Sequence, residues 1–401
     1  MEDYLIIGGG QAAATLAEKL RALGAEGSLT IVGEEPVPPY ERPPLSKAYL
    51  MGDMAKERLF LRPEAIYAEK DITLRLGQRA TALDPVAKTV EVGGERLAFG
   101  QLALVMGSTP IRLPAAIGGD LEGVFTVRTL ADIDAMSPRF QHGARVLVVG
   151  GGYIGLEAAA VAAKLGLQVT LVEQAPRILG RVASEETADV IRDAHRAHGV
   201  DILEGVGLKT LAGEGRVASA SLSDGRTLDV DFVIVGIGIR PEASLAEAAG
   251  LTVENGIAVD DRGRTSAPGI WAAGDCASFP YHGARLRLES VQNAIDQAEA
   301  VAANMLGADT PYDPVPWFWS DQYDLKLQIA GLNTGYDQVV RRGDKHAVSH
   351  WYFRESSFLA VDAINAPRDF MVGKRLLEAG KGVDPATIGD PATDLKALLR
   401  G

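Results

Sequence analysis

The feature that most constrains this chain is a repeat. Residues 4–24 read YLIIGGGQAAATLAEKLRALG, and residues 145–166 read RVLVVGGGYIGLEAAAVAAKLG. Each starts as a short apolar strand, passes a glycine triplet and continues as an Ala/Leu-rich helical stretch that stops at a glycine, Gly24 or Gly166. A second apolar strand follows, Leu29-Thr30-Ile31-Val32 or Val169-Thr170-Leu171-Val172, and finishes at an acid, Glu34 or Glu173. Gly150 follows Gly8 by 142 residues, which is too far for a solenoid repeat. The pattern predicts two separate βαβ units.

The spacing has a physical logic. The first glycine allows the tight turn out of the strand, and the second lets the backbone approach a pyrophosphate. The third small residue lets helix pack closely on strand, and the helix N-terminus offers free N–H groups and a positive dipole. These positions are Gly8, Gly10 and Ala13 in the first copy and Gly150, Gly152 and Gly155 in the second. The acid after the second strand accepts hydrogen bonds from a ribose hydroxyl. A carboxylate at Glu173 repels a 2′-phosphate, and Arg177 is the only cation close by in sequence, so NADH is expected over NADPH.

Composition narrows the rest. At about 150 residues per domain, 401 residues predict two or three domains. The net charge of −13 argues against a general nucleic-acid binder. One cysteine, Cys276, cannot form a dithiol pair or by itself hold a cluster; it reads as a small buried apolar residue. The longest apolar stretches, such as 232–239, fall far short of the roughly 20 residues of a membrane helix. The start, Met1-Glu2-Asp3 before Tyr4, lacks the basic region of a secretory signal, so a cytoplasmic protein is expected. Six histidines show no zinc-site spacing, so no metal is expected; His195 and His198 read as part of a solvated helix face.

Two nucleotide sites in one chain predict a flavoenzyme, one pocket for FAD and one for a pyridine nucleotide. Residues 265–275, TSAPGIWAAGD, form a strand ending in an acid suited to the hydroxyls of a ribityl chain, or an ordinary turn aspartate. Residues 288–306 read as an amphipathic helix, 350–354 and 358–361 as a hairpin around Glu355-Ser356-Ser357, and 366–379 as a helix. The last ten or so residues are expected to be loosely held.

Six segments carry a resemblance: GGGQAA near the start, RPPLSK at 42–47, GGGYIGLE at 150–157, AAGDC at 272–276, LESVQNA at 288–294 and PWFWSDQY at 316–323. They occur in the order found in NADH-dependent ferredoxin reductases, flavoproteins that serve bacterial haem monooxygenases and aromatic-ring dioxygenases. The chain resembles that family over essentially its whole length. The resemblance implies an α/β fold: two Rossmann-like dinucleotide-binding domains of glutathione-reductase type plus a C-terminal α+β domain. The FAD domain would span 1–109 and 240–315, the NAD domain 110–239 and the interface domain 316–401.

It further implies that Gly8, Gly10, Ala12, Ala13, Glu34, Lys47, Arg128, Asp275 and Val291 serve FAD, with Glu35 competing for the role of Glu34. Gly150, Gly152, Gly155 and Glu173 would serve NADH. Lys47 would lie near the hydride-accepting flavin nitrogen, paired with Glu157, and the two would act in catalysis. The aromatics of 316–319 would cover the flavin or form a seam between domains, with Trp317 or Trp319 on an electron exit route. With no dithiol, electrons pass outward, and an acidic [2Fe-2S] ferredoxin is the expected acceptor; a rubredoxin reductase, an NADH oxidase and a flavin-bearing signalling protein are the competing readings. Docking an acidic partner on an acidic chain requires a local basic patch, with Arg285, Arg287, Lys326, Arg341, Arg342 and Lys345 as its sources.

Overall fold

The computed structural model describes residues 3–344 and 346–400, and the chain divides into two compact units. One contains Met1–Glu41, Ala55–Thr109 and Ile239–Pro314; the other contains Arg42–Met54, Pro110–Gly238 and Val315–Gly401.

In the first unit β1 (Tyr4–Ile7) is followed by α1 (Gln11–Ala22) and β2 (Leu29–Val32). β1 lies at the centre of a five-stranded sheet ordered Ile270–Ala272, Gln101–Leu104, β1, β2, Thr73–Arg75. Every ladder is parallel, with Tyr4 opposite Leu29 and Gln101, and Ile7 opposite Val32 and Leu104. A parallel sheet is covered on both faces, which is why β1 is apolar at every position rather than at alternate ones. Tyr4 and Ile6 pack into a core with Leu16, Leu20 and Val301, while Leu5 and Ile7 pack into another with Leu102 and Phe279. Each such buried side chain contributes roughly 1.5–3 kcal/mol.

The second unit repeats the pattern. β3 (Arg145–Val149), α2 (Tyr153–Lys164) and β4 (Gln168–Glu173) form its first βαβ turn. The sheet order is Asp201–Glu204, β4, β3, Phe232–Val235, Val124–Thr126, again all parallel. α3 (Glu185–Ala197) starts at Ser184, whose hydroxyl accepts from the Thr187 N–H, with Glu185 and Glu186 favourably placed in its first turn. Back in the first unit, the helix expected over 288–306 is α4 (Val291–Met305), N-capped by Ser290.

The chain ends in an antiparallel sheet. Its strands are β5 (Trp317–Gln322), β6 (Leu325–Gly331), β7 (Val348–Arg354) and β8 (Ser357–Ile364), ordered β5-β6-β8-β7 with Gln338–Gly343 at the edge. The expected hairpin is β7–β8, closed by two residues, Glu355 and Ser356, both with positive φ, rather than by three. Positive φ at both turn positions matches the strand twist. α5 (Pro367–Glu378) covers this sheet. The tail departs from expectation: a 3-10 turn at Leu395–Leu399 inserts Leu395, 2% exposed, among Trp351, Val372, Leu376 and Ile388.

Residues 42–54 group with the second unit rather than with the remainder of 1–109. The reason is local bonding. The Arg42 guanidinium donates to the Arg128 carbonyl at 2.6 Å, Tyr49 Oη donates to Asp134 at 2.6 Å, and Ser46 and Lys47 both reach Glu157.

Candidate functional site

The two glycine loops are built alike. The Gly8 N–H donates to Val32 O at 2.9 Å, and the Gly150 N–H donates to Val172 O at 2.8 Å. Both glycines have positive φ, and a Cβ would lie 2.2 Å from Val105 O in the first copy and 2.3 Å from Gly236 O in the second. No other residue fits there. At Gly10 and Gly152 a Cβ would meet nothing within 4 Å, so open space lies before each helix end. Both glycines are N-caps without a side-chain hydrogen bond, unlike Ser184 and Ser290, which cap their own helices. No side chain of the cap residue engages the first N–H groups of α1 or α2, and helix-end N–H groups of this kind are the donors a pyrophosphate requires. Gly155 packs so tightly that a Cβ would sit 2.2 Å from Gly150 O; Ala13, fully buried, shows that the first copy accommodates a methyl.

The matching loop bonds align Val32 with Val172, so the residue in register with Glu173 is Gly33. β4 ends at its acid as expected, whereas β2 ends at Val32 and Glu34 lies two residues beyond it. Glu34 is exposed and pairs with Arg79 at 2.8 Å; Glu35 accepts from Tyr40 Oη at 2.6 Å. Glu173 is held firmly. One carboxylate oxygen accepts the Gly151 N–H and the other the Ala175 N–H, both at 2.7 Å, and each keeps a further lone pair for a hydroxyl. Arg177 turns away from that role, its guanidinium donating to the carbonyls of Ile178, Ala183 and Ser184.

Small residues gather the remaining first-unit groups. A Cβ on Gly274 would lie 3.4 Å from Ala12 Cβ and 3.9 Å from Ala294, so the start of α1, the 274–276 turn and α4 converge. The Gly274 N–H donates to Gln297 on α4 at 2.8 Å. Asp275 follows, accepting from Ser108 Oγ at 2.9 Å, and Val291 is the first residue of α4. Arg287 donates to the Asp275 carbonyl and pairs with Glu289. It is therefore engaged inside the unit, as is Arg285, which donates to the carbonyls of Val259 and Ser278.

In the second unit a strand and two helices make a ladder. The even positions of β5 face α2 and α3, as strand alternation requires. The Phe318 ring packs at a tilt against Tyr153 at 4.7 Å, Ser320 Oγ donates to Glu157 Oε1 at 2.7 Å, and Gln322 bonds His195 at 2.8 Å. Tyr153 and Glu157 are one helical turn apart on the same face of α2. From the other side, Lys47 Nζ and Ser46 Oγ each donate to Glu157 Oε2 at 2.6 Å. A Pro43–Ser46 3-10 turn presents them. Glu157 is only 3% exposed, so these three donors replace its hydration. The expected Lys47–Glu157 pair thus lies within one unit. Arg128 belongs to the same unit, at the entry of a capping box formed by Thr129 and Asp132.

Trp317 and Trp319 occupy the opposite face of β5, 5.7 Å apart, with Trp317 also against Phe370. His195 corrects the solvated-face reading: it is fully buried under β5, while His198 is exposed. Sequence reading missed Ser320, Gln322 and His195; only the alternation of FWSDQ hinted that the serine and glutamine share a face. Of the basic residues, Arg342 is committed to the carbonyls of Ile388, Asp390, Pro391 and Thr393. Lys326 and Arg341 are exposed, and Lys345 lies outside the described residues. Among the described residues no cluster of three or more His, Cys, Asp or Glu is placed to hold a metal, and no helix is long and apolar enough to cross a membrane.

Residues 2–298 match the model of the pyridine nucleotide-disulphide oxidoreductase family, and residues 317–399 match that of a reductase C-terminal domain. The chain belongs to the pyridine nucleotide-disulphide oxidoreductase family. It is 43% identical to the 5,5'-dehydrodivanillate O-demethylase ferredoxin reductase subunit of Sphingobium sp., covering 99% of this chain and 98% of that one. It is 38% identical to putidaredoxin reductase of Pseudomonas putida, covering 99% and 97%. The fold superimposes on the reductase in the covalent putidaredoxin reductase–putidaredoxin complex with a TM-score of 0.96, at 38% identity and covering 100% of this chain and 98% of that one. For the ferredoxin reductase of the CYP199A2 system from Rhodopseudomonas palustris the TM-score is 0.95, at 39% identity and 99% coverage of both chains. In this member of the oxidoreductase family the disulphide of the family name has no counterpart, because Cys276 is the one cysteine. It is buried against the carbonyls of Leu104 and Ala273, and burial pushes its thiol up to about 11.

Proposed function

We propose that this protein is an FAD-dependent ferredoxin–NAD(+) reductase, passing electrons from NADH to a [2Fe-2S] ferredoxin that serves a monooxygenase or dioxygenase. The observation that carries this reading is the pair of glycine-lined, side-chain-free helix ends in a chain whose one thiol is buried. Two dinucleotides have places to bind, and no internal dithiol exists to receive the electrons. The full-length similarity to ferredoxin reductase components supports the acceptor class.

Gly8, Gly10, Ala12 and Ala13 hold the FAD pyrophosphate at α1, with Glu34 on the adenosine ribose and Glu35 as its competitor. Asp275 and Val291 serve the ribityl chain and flavin ring, and Lys47 and Arg128 are further FAD-binding residues. Gly150, Gly152, Gly155 and Glu173 hold NADH. When bound, FAD accepts two electrons from NADH and releases them singly. Two ferredoxins are reduced per NADH, and one proton is released. Around that exchange the chain binds and orients. Glu173 accepts ribose hydroxyls, and Arg177, tied to backbone carbonyls, offers no partner for a 2′-phosphate. The Lys47–Glu157 pair fixes a cation at the reacting end of the site. The domain division is that of FAD segments 1–109 and 240–315, NAD segment 110–239 and interface domain 316–401, with 42–54 packed on the NAD side. We place the reaction in the cytoplasm, where NADH is generated.

The test is anaerobic titration of purified yellow protein with NADH, then addition of oxidised [2Fe-2S] ferredoxin, rubredoxin or oxygen. Bleaching by one equivalent of NADH and fast reoxidation by the ferredoxin alone is expected. Faster reoxidation by rubredoxin or oxygen would move the protein to those classes, and a flavin that NADH does not bleach would end the reading.

A further inference from the structure

The polar contacts of Glu157 do not stop at its first partners. Ser320, which donates to Glu157 Oε1, itself accepts from Gln322 Nε2 at 3.2 Å. The other end of that amide, Oε1, lies 2.8 Å from His195 Nε2, and His195 Nδ1 lies 3.0 Å from Tyr323 Oη. The partners dictate every proton. The Gln322 amide gives its N–H to the serine, so its oxygen must accept, and His195 carries its proton on Nε2. Nδ1 is then an acceptor, and the Tyr323 hydroxyl donates to it. The result is one unbroken series of donors, all pointing the same way, from a partly exposed tyrosine to a buried carboxylate. Such aligned bonds polarise and reinforce one another.

Two further observations show that the outer end is built rather than incidental. Burial holds the His195 imidazole down at about 4, so it stays neutral in one tautomer through the physiological range. Tyr323 occupies the first position of the two-residue β5–β6 turn with φ of +56°, a left-handed conformation that glycine or asparagine adopts more easily. That strained backbone places the tyrosine ring edge-on to His195 at 5.0 Å and stacked on His198 at 3.7 Å.

We propose that Ser320, Gln322, His195 and Tyr323 are positioning residues for the Lys47–Glu157 pair. Through this directed chain of hydrogen bonds they saturate one oxygen of the Glu157 carboxylate and so confine the lysine ammonium to the other. The carboxylate cannot rotate or exchange oxygens without breaking the series, and Lys47, bound to Oε2 beside Ser46, inherits that restraint. This rests on the reading of Lys47 as a group that serves the flavin site. Its physical content, a restrained Lys47 amine, is measurable without turnover.

The experiment uses the full-length flavoprotein, three variants of the series and Lys47→Met as a control. Gln322→Met keeps volume and severs the series; Gln322→Glu offers Ser320 a competing carboxylate; Tyr323→Phe keeps the stack and removes only the outermost donor. Two quantities are read beside the melting temperature. One is the labelling rate of the Lys47 amine by a limiting amine-reactive reagent, followed by mass spectrometry against exposed Lys209. The other is the single-turnover rate of flavin reduction by NADH, separated from the NADH dissociation constant. Both Gln322 variants are expected to raise Lys47 labelling several-fold and to slow flavin reduction about tenfold at unchanged NADH affinity, as loss of orientation does. Tyr323→Phe should give a smaller shift in the same sense, and it keeps the proposal open to refutation if a Gln322 variant fails to fold. Unchanged labelling and unchanged reduction, with only a lower melting temperature, would reduce the series to core packing and overturn the proposal. If instead Lys47→Met itself reduces at the normal rate, the flavin-site reading fails and the positioning claim is judged on labelling alone.

Discussion

Lys47 and Glu157, 110 positions apart in sequence, meet at 2.6 Å, and the glutamate that receives the lysine is almost wholly buried. A buried carboxylate with one cationic partner is asymmetric in its demands: removing either charge strands the other. Glu157→Gln is expected to lower stability by about 1–3 kcal/mol, the cost of leaving a polar or charged group incompletely paired. Flavin reduction by NADH should slow at least tenfold in Glu157→Gln and in Lys47→Met while NADH affinity changes little. Stopped-flow reduction at several NADH concentrations checks this; a change in affinity alone would assign the pair to nucleotide binding.

Glu173 is fixed by two backbone N–H groups with lone pairs left for ribose hydroxyls. Charge-assisted hydrogen bonds contribute roughly 1.5–3 kcal/mol, so Glu173→Ala should raise the KM for NADH about 10- to 100-fold with kcat little changed. NADPH should lose much less, because the same carboxylate repels its phosphate. Steady-state kinetics with both nucleotides measure the ratio, and equal losses would show that Glu173 does not read the ribose.

What could be read from the sequence was what local rules determine. Two strand–glycine–helix units are visible because their periodicity, their positive-φ glycines and their terminal glycines are set within some twenty residues. Where the second strand of the first unit ends was not legible, because strand ends are a property of the sheet: β2 stops at Val32, and Glu34 lies two residues beyond it. His195 was misread because a helical polarity pattern does not reveal that a strand more than a hundred residues later covers it. Arg342 resembled a docking charge, yet it is consumed by four carbonyls of the C-terminal segment, an arrangement only the tertiary fold creates. Leu395 likewise converts an expected loose tail into core.

Of the candidate docking cations, Lys326 and Arg341 are exposed and lie on the C-terminal sheet. Charge reversal at both should raise the KM for an acidic ferredoxin several-fold at low salt, an effect that shrinks as ionic strength rises, and should leave NADH reduction of the flavin unchanged. Ferredoxin-dependent reduction measured from low to high salt is the check. Arg342→Glu is the wrong test, since it would also release the 388–393 carbonyls. A double variant with unaltered ferredoxin kinetics would place docking on another face.

Asp362 offers a stability signature. It is fully buried between β7 and α3, with Oδ2 accepting from Tyr352 Oη and, at 2.9 Å, from Thr187 Oγ1, while Oδ1 has no partner among the described residues. Desolvation pushes its carboxyl up to about 7. A raised folded-state value means that the protonated form is favoured by folding. The stabilising contribution is therefore complete below the ordinary value near 4 and is lost as the pH rises through 7. His350 and His195 act in the opposite sense, each held near 4 by burial, so their contribution is present above about 6.5 and is lost on acidification. Because wild-type stability mixes these slopes, the informative quantity is the difference from Asp362→Asn, which cannot ionise. The melting temperature of Asp362→Asn minus that of the wild type should grow between pH 5 and pH 8 and level off above. Thermal melts across that range decide it: a difference that stays flat would mean that Asp362 is already ionised in the folded protein at pH 5.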